Sequence, residues 1–482
     1  MAAELELPDP LGFILGGETK CEGSVLEVRS PYDGRIVGRT FRPSPGDLRE
    51  AVRRCAAGAK AMRGLAGYER SAVLERVAGA VREHRDRFVR LLALEAGKPV
   101  KAGRVEVERC LANLANAAAE ALRIEGELLP LDHFPGGRGR WGIVRRFPLG
   151  SILAITPFNF PLNLVVHKLA PAVASGNAVV QKPASQTPLT SLLLGRLFYE
   201  AGLPEGALSV LPCSGGAAEE LVKDDAFALL TFTGSAAVGW RLKSLAGKKK
   251  VTLELGGNAA VVIHDDADLE WAAARCVLGG FSYAGQSCIS VQRIFVQQRV
   301  WDPFVRALVD GVEKLQVGDP LDENTDVGPL ISERDAVRVE TWIGEALDGG
   351  AECLAGGKRN GVFVEPTVLT RTRPEMKVNC EEVFGPLVTV EPYTEFEEAL
   401  HRVNDSRYGL QAGVFTRDLD LAWKAFETLD VGGVTINEAP TFRADHQPYG
   451  GVKDSGLGRE GARYAIEEMT ERKILIVVPR ES

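Results

Sequence analysis

The sequence predicts an α/β protein with two doubly wound parallel-sheet domains, and three observations lead to that fold class. At 482 residues, the chain is too long for a single hydrophobic core. From Gly150 onwards, short apolar segments typical of buried parallel strands alternate with helical segments. A second alternation of the same kind begins after Glu254. We therefore expect ligands to bind at the carboxyl ends of the strands.

The part of the chain before the first sheet is predicted to form a hairpin and a series of helices. Residues 25–30 and 35–38 are strand-like and flank a Pro-Tyr-Asp-Gly turn. Apolar residues at helical spacing predict helices over 70–81, 88–96 and 100–121. The strands predicted next are 151–155, 178–181, 208–211, 229–232, 259–263 and 293–296.

Composition and charge exclude several classes of protein. A net charge of −8 argues against a nucleic-acid-binding surface, which would be basic. Eight cysteines are too few for a disulfide framework, and no Cys/His cluster predicts a metal site. The sequence shows neither a secretory signal nor an uncharged apolar segment of membrane-spanning length. We expect a cytoplasmic protein that binds no nucleic acid, membrane or metal.

A cysteine and a glutamate carry the chemistry. A run of Gly, Ser and Ala ends on Cys288, and upstream Glu254 lies in an apolar segment that stops at Gly256 and Gly257. The spacing of 34 residues leaves room for a strand, a helix and a return, so the carboxylate could face the thiol. A thiol needs a base to become a nucleophile, and burial can raise the pKa of a glutamate for that role.

These motifs resemble the aldehyde dehydrogenase superfamily, whose nucleophile lies in Gly-Gln-x-Cys and whose base lies in Glu-Leu-Gly-Gly. The resemblance covers nearly the whole chain and implies an aldehyde-dehydrogenase-like fold. It implies an NAD(P)-dependent, non-acylating enzyme that oxidises a small aldehyde to the carboxylate through a thiohemiacetal and a thioester. The catalytic residues implied are the nucleophile Cys288, the water-activating base Glu254, the oxyanion donor Asn159, and Lys168 and Glu460 close to the site.

The resemblance also implies a dinucleotide site. Gly234 and Ser235 stand between a predicted strand and helix, where backbone N–H groups can hold a phosphate. Lys182 matches the residue that reaches the adenosine ribose, and Glu382 and Phe384 match those that hold the nicotinamide ribose. The other cofactor-binding residues implied are Thr156, Pro157, Phe158, Gly215, Phe232, Val238 and Leu255.

Ser185 departs from the NAD-preferring pattern of the family, which carries glutamate at this position. A carboxylate there accepts a hydrogen bond from the ribose 2′-hydroxyl and repels a 2′-phosphate. Serine removes that repulsion beside Lys182. We predict that NADP is used and that NAD is possible.

Two arginines indicate the substrate class. Arg443 matches the loop that closes the substrate tunnel in the family, and Arg109 lies on a predicted helix. They resemble the succinate-semialdehyde, lactaldehyde and non-phosphorylating glyceraldehyde-3-phosphate dehydrogenase branch, which acts on short aldehydes with an anionic tail. Some phosphate-handling members carry arginine where this chain has Ser287, which argues against a phosphate pocket. The alternative for Arg443 is a surface or interface charge with no role in substrate binding. The other implied substrate-binding residues are Phe160, Ile289 and Tyr449.

The predicted domains are a dinucleotide-binding domain, 1–124 and 148–256, a catalytic domain, 257–452, and an oligomerisation arm, 125–147 and 467–482. The apolar tail would aggregate as an unpaired edge strand, so a homodimer or homotetramer is expected. Two alternatives stay open. The first is a CoA-acylating semialdehyde dehydrogenase, which Glu254 disfavours. The second is a catalytically silent structural or binding protein on this fold, which Cys288, Glu254 and Asn159 disfavour.

Overall fold

The computed structural model describes residues 7–478. Residues 1–6 of the predicted dinucleotide-binding domain and residues 479–482 of the predicted arm lie outside this described part. Among the described helices, none has the length and apolar character needed to cross a membrane.

The amino-terminal part contains two hairpins followed by four helices. Ser44 caps the first helix, because its hydroxyl accepts a hydrogen bond from the backbone of Asp47 while the Asp47 carboxylate accepts from the backbone of Ser44. The third helix ends at Gly97, whose φ of 66° is left-handed and suits glycine. The elements are β1 (Phe13–Leu15), β2 (Glu18–Lys20), β3 (Ser24–Arg29), β4 (Ile36–Arg42), α1 (Pro45–Gly64), α2 (Gly67–Glu83), α3 (Arg85–Ala96) and α4 (Val100–Ala121).

The next part alternates strands and helices as the sequence predicts. Its parallel strands are apolar and buried on both faces, as in Ser151–Ile155. The elements are β5 (Glu127–Pro130), β6 (Trp141–Pro148), β7 (Ser151–Ile155), α5 (Asn163–Ser175), β8 (Ala178–Lys182), α6 (Pro188–Glu200), β9 (Leu208–Val210), α7 (Gly215–Lys223), β10 (Leu229–Thr233), α8 (Ala236–Leu245) and β11 (Lys250–Glu254). A 3₁₀ turn at Pro135–Gly137 joins β5 and β6.

The second alternation fills the following part of the chain. Two 3₁₀ turns, Ser282–Gly285 and Gln298–Val300, flank β13. The elements are β12 (Ala259–Ile263), α9 (Leu269–Phe281), β13 (Val291–Gln297), α10 (Trp301–Glu313), α11 (Glu333–Asp348), β14 (Glu352–Ala355), β15 (Arg359–Asn360), β16 (Phe363–Val364), β17 (Thr367–Thr370), α12 (Lys377–Cys380), β18 (Leu387–Tyr393), α13 (Phe396–Asn404), β19 (Tyr408–Gly409), β20 (Gln411–Phe415), α14 (Leu419–Thr428) and β21 (Gly433–Ile436). The described part of the chain ends with β22 (Val452–Lys453), β23 (Gly456–Leu457), α15 (Ala462–Glu468) and β24 (Thr470–Val477).

An eight-stranded sheet, in the order β2-β1-β9-β8-β7-β10-β11-β23, supports one half of the molecule. Its five central strands are parallel, as predicted. The edge strands β1, β2 and β23 are antiparallel, and the sequence analysis did not place them in this sheet. Strands of two or three residues are too short to show a hydrophobic period.

A seven-stranded sheet, in the order β14-β17-β18-β13-β12-β20-β21, supports the other half. Its strands are parallel except for β14. A separate antiparallel sheet, β24-β6-β5, leaves one edge of β24 without a partner strand among the described residues. Apolar side chains of this three-stranded sheet are exposed: Leu475 on β24 is 61% accessible and Leu128 on β5 is 63% accessible.

Candidate active site

A cleft of about 830 Å³ lies beside the carboxyl ends of β7, β10 and β11. It contains Cys288 and Glu254 together, so the structure brings the predicted nucleophile and the predicted base into one space. The other predicted site residues that line it are Asn159, Pro157, Phe158, Phe160, Gly234, Ser235, Leu255, Glu382, Phe384, Arg109, Ser287, Ile289, Arg443 and Tyr449.

The loop before Cys288 is held in an unusual backbone conformation. Tyr283 and Ala284 have left-handed φ angles of 52° and 53°, and Gly285 follows with 68°. A Cβ at Gly285 would lie 2.1 Å from the carbonyl oxygen of Gly385, so only glycine fits there. The buried amide of Gln286 donates to the backbone of Tyr283 and accepts from the backbone of Ile331, which fixes the loop.

Cys288 is half-buried, and its sulfur lies 3.1 Å from the hydroxyl of Tyr449. Burial raises the pKa of the Cys288 thiol to about 12, while the hydrogen bond from Tyr449 acts in the opposite direction. The charge of Glu254 also raises this pKa, which is consistent with the two groups sharing one cleft. The resting thiol therefore needs help to ionise.

Glu254 is the last residue of β11 and is 3% exposed. Neither carboxyl oxygen has a hydrogen-bond partner among the described residues. Burial, reinforced by the charge of Glu460, raises the pKa of Glu254 well above its ordinary value. Opposite this group, a Cβ at Gly450 would lie 2.9 Å from Oε1, so glycine keeps the carboxyl group accessible. A carboxyl group of raised pKa without partners can take up a proton.

Asn159 follows β7 and is buried. Its Nδ2 donates a hydrogen bond of 3.0 Å to the carbonyl oxygen of Gln286, two residues before Cys288. This contact ties the segment after β7 to the cysteine loop. An amide nitrogen carries two hydrogens, so the second remains available for a ligand in the cleft.

A chain of buried charges lies behind the cleft. Glu460 accepts from Lys168 at 3.1 Å and from Arg443 at 3.0 Å. Burial alone would raise the pKa of Glu460, but Lys168, His167 and Arg443 together lower it to about 2. The Arg443 side chain is buried and is therefore not a surface charge. Lys168 and Glu460 do not themselves line the cleft.

Asp445 is the hub of a second part of this charge chain, which the sequence analysis missed. Both of its oxygens accept from Arg109, at 2.8 and 3.1 Å, and Oδ1 also accepts from Nε2–H of His167 at 2.8 Å. Against the effect of burial, these partners hold the pKa of Asp445 well below its ordinary value. Arg443 donates to Nδ1 of His167 at 3.3 Å. One signal in the sequence could have indicated this role of Asp445: it lies two positions after Arg443 in the same loop.

A buried lysine that lines the cleft was also missed. Lys98 forms an ion pair with Glu106, and its ammonium group lies 3.6 Å from the ring centre of Phe160 and 4.5 Å from that of Tyr283. Burial lowers the pKa of Lys98 to about 8. Glu106 accepts from the two backbone N–H groups that start α5, including that of Asn163. This pair therefore contacts both the segment after β7 and the loop before Cys288.

Two of the predicted dinucleotide residues, Gly234 and Ser235, directly precede α8 and line the cleft. Ser235 caps this helix without a side-chain hydrogen bond, which leaves the first backbone N–H groups free. Gly239 packs on Leu255, which a Cβ would approach to 2.3 Å. Phe158 and Phe384 meet edge to face at 5.9 Å.

Glu382 approaches the two glycines that follow Glu254. Its Oε1 accepts from the backbone of Gly257 at 3.0 Å, and a Cβ at Gly256 would lie 2.2 Å from Oε2. Burial raises the pKa of Glu382 to about 7.

Six predicted cofactor residues are not among those that line the cleft. Thr156 and Phe232 are buried, Lys182 and Ser185 are half-buried at the end of β8 and just after it, and Gly215 and Val238 are exposed on α7 and α8. Burial lowers the pKa of the Lys182 ammonium. These residues lie near the carboxyl ends of β7, β8 and β10 and near the amino-terminal ends of α7 and α8.

The fold and the site define an α/β enzyme in which a cysteine and a buried carboxyl group share one cleft at the edge of a doubly wound sheet. The sequence profile of the aldehyde dehydrogenase family matches residues 19–475, and the chain belongs to this family. The membership and the fold class predicted from the sequence are thereby confirmed.

Several relatives are similar over nearly their whole length. The chain is 45% identical over 468 residues to 3-sulfolactaldehyde dehydrogenase of Priestia aryabhattai, covering 97% of this chain and 98% of that protein. It matches the crystal structure of aldehyde dehydrogenase 21 from Physcomitrella patens in complex with the reaction product succinate. That match has a TM-score of 0.96, 43% identity and 98% coverage of both chains. It also matches the glyceraldehyde-3-phosphate dehydrogenase GapN of Methanocaldococcus jannaschii complexed with NADP, with a TM-score of 0.90, 38% identity, and 94% and 98% coverage.

Proposed function

We propose that this protein oxidises a short aldehyde with an anionic tail to the carboxylate, with NADP as the preferred acceptor and NAD as a possible one. The observation that carries the proposal is the presence of Cys288 and the unpartnered carboxyl group of Glu254 in one cleft. Neither group has a structural partner that would explain its burial, apart from the Tyr449 hydroxyl beside the sulfur.

In the proposed first step, the Cys288 thiolate attacks the aldehyde carbon and forms a thiohemiacetal. Charge develops on the former carbonyl oxygen, and preorganised donors stabilise it. Asn159 offers its second Nδ2 hydrogen, because the first is held by Gln286. The backbone N–H of Cys288 is proposed as the other donor. Removing one such donor typically lowers the rate by about 10²- to 10³-fold.

When bound, the dinucleotide supplies the acceptor for the hydride that leaves the thiohemiacetal carbon. Glu254 then removes a proton from water, which attacks the thioester and releases the carboxylate. The raised pKa of Glu254 suits a group that must gain and lose this proton near neutral pH. Lys168 and Glu460 are proposed to assist the proton transfer from behind the cleft, since the charge of Glu460 acts directly on the Glu254 pKa.

The chain's own residues fit a dinucleotide. The free N–H groups at the start of α8 suit a pyrophosphate, and Gly234 keeps the approach clear of a Cβ that would lie 2.6 Å from Phe232. Glu382 and Phe384 are proposed to hold the nicotinamide ribose, and Lys182 the adenosine ribose. The remaining proposed contacts are Thr156, Pro157, Phe158, Gly215, Phe232, Val238 and Leu255.

The proposed preference for NADP rests on Ser185. This residue is half-buried in the loop after β8, three positions beyond Lys182. A serine and a neighbouring ammonium group tolerate a 2′-phosphate, whereas a carboxylate would repel it. A kcat/KM at least tenfold higher with NAD would overturn this preference.

The proposed anionic tail is supported by the charges around the cleft. Arg109 and Arg443 both line the cleft, and Nε of Arg443 has no partner among the described residues. Two relatives, 3-sulfolactaldehyde dehydrogenase and sulfoacetaldehyde dehydrogenase, are named for anionic aldehydes, whereas the lactaldehyde dehydrogenases are named for a neutral one. Phe160, Ser287, Ile289 and Tyr449 are the proposed lining beside the aldehyde.

The experiment is an assay of NADPH absorbance with a panel of short anionic and neutral aldehydes. Wild-type protein should form NADPH with anionic aldehydes, and Cys288→Ser should form none. Cys353→Ser is the matched control, because Cys353 is an exposed cysteine away from the cleft, and it should retain wild-type rates. Equal rates for Cys288→Ser and the wild type would overturn the proposal.

We also propose the domain boundaries given by the sequence, a cytoplasmic location, and a homodimer or homotetramer assembled through the β24-β6-β5 sheet. The exposed apolar residues of this sheet support the assembly, because a monomer would leave them in water. Light scattering after gel filtration should give a dimeric or tetrameric mass. Leu475→Glu should reduce that mass, and a monomeric wild type would contradict the proposal.

A further inference from the structure

The hydroxyl of Tyr449 is the one hydrogen-bond partner of the Cys288 sulfur within residues 7–478, at 3.1 Å. Tyr449 is 3% exposed, and it packs with Ile289 and Leu410. The hydroxyl is therefore positioned beside the sulfur by a buried, packed ring rather than by an exposed side chain.

This contact is not equally strong in the two states of the sulfur. A thiol can either donate to the hydroxyl or accept from it, whereas a thiolate can only accept. A hydrogen bond to an ionised acceptor is roughly twice as strong as one between neutral groups. The contact therefore favours the thiolate of Cys288 over the thiol.

A cation lies against the same ring. The guanidinium carbon of Arg443 is 3.6 Å from the ring centre of Tyr449, well within the range of a cation–π contact. Arg443 is fixed there by Glu460 at 3.0 Å and by His167 at 3.3 Å. A positive charge on the ring face withdraws electron density, so the hydroxyl becomes a better donor.

We propose that Tyr449, stacked against Arg443, is a catalytic residue that donates its hydroxyl hydrogen to the Cys288 thiolate and so keeps the nucleophile available for attack. The inference rests on the proposed nucleophilic role of Cys288. It assigns to Tyr449 a contact with the reacting atom rather than a place in the substrate-binding wall alone. Burial also raises the pKa of Tyr449 well above its ordinary value, so the hydroxyl remains a donor at working pH.

The test is the rate of alkylation of Cys288 by iodoacetamide, without aldehyde, between pH 6 and pH 10 in Tyr449→Phe and in the wild type. Loss of a hydrogen bond to a charged group should raise the pKa of the Cys288 thiol by about one to two units. Because a thiolate of higher pKa is also more nucleophilic, the alkylation rate at a given pH on the rising part of the profile should fall by only about three- to tenfold. Peptide-resolved mass spectrometry uses the exposed Cys353 and Cys380 as references in the same sample.

Two further variants complete the design. Tyr393→Phe removes another buried hydroxyl, which donates to the backbone of Ile263. Because Tyr393 does not line the cleft, this variant should leave the Cys288 profile unchanged. Arg443→Met should shift the profile in the same direction as Tyr449→Phe. A profile for Tyr449→Phe that superimposes on the wild type overturns the inference, whatever the activity of Cys288→Ser shows about the proposed function.

Discussion

Replacing Arg443 by alanine tests recognition of the anionic tail through KM, because any effect of Arg443 on the Cys288 thiolate is shared by anionic and neutral aldehydes. The Arg443 side chain lines the cleft, and its Nε has no partner among the described residues. A hydrogen bond to a charged group contributes about 1.5–3 kcal/mol, which corresponds to about a 10- to 150-fold change in an equilibrium constant. We therefore expect Arg443→Ala to raise KM for succinate semialdehyde by about that factor.

Butanal is the matched control substrate, because it has the same chain length and no carboxylate. Its KM should change by less than about threefold. Glu460 keeps Lys168 as a partner in this variant, so the protein should remain folded, which a melting curve checks. The KM of Arg443→Lys for succinate semialdehyde should lie between the values for the wild type and for Arg443→Ala. A KM increase of the same size for both aldehydes would refute the reasoning.

Three further outcomes are expected. The pKa of Glu460 is lowered to about 2 in the folded protein, from about 4.5 in the unfolded chain. Its charge therefore stabilises the fold fully at pH values above about 4.5, and this contribution is lost as the pH falls towards 2. Glu460→Gln should lower stability by about 3–5 kcal/mol at pH 7 in urea unfolding, because two buried cations lose their partner, and an unchanged midpoint would contradict this. Ser185→Glu should raise the ratio of kcat/KM with NAD to kcat/KM with NADP by at least tenfold. An unchanged ratio would show that Ser185 does not determine the choice of cofactor. Because the pKa of Glu254 is raised, kcat should increase with pH as this carboxyl group ionises, and a flat profile in the thioester-hydrolysis rate would contradict its role as the base.

Sequence reasoning located the regular elements best where burial leaves a clear pattern. The strand predicted over 151–155 and the helix over 100–121 have the same bounds in the structure. A run of four consecutive apolar residues, such as 152–155, or a long helical period can be recognised from the local sequence. The two-residue strand Gly456–Leu457 pairs beside Glu254 but carries no such signal, since its pairing depends on residues about 200 positions away.

The cleft residues Cys288 and Glu254 could be expected together because their motifs are local and specific, and the family resemblance that these motifs carry implied Asn159. The charge chain behind them could not. Arg109 and Asp445 are separated by 336 residues, and their pairing depends on the tertiary fold alone. The sequence suggested that Arg443 meets a ligand, whereas the structure shows that Glu460 and the ring of Tyr449 also hold it.

The most direct test of the central claim is the mass of the intact Glu254→Gln protein after mixing with NADP and an anionic aldehyde. If Cys288 is the nucleophile and Glu254 the base, steady-state turnover should fall by about 10²- to 10⁴-fold, and an acyl group should accumulate on Cys288. Turnover at the wild-type rate, or an adduct on a different cysteine, would contradict the claim.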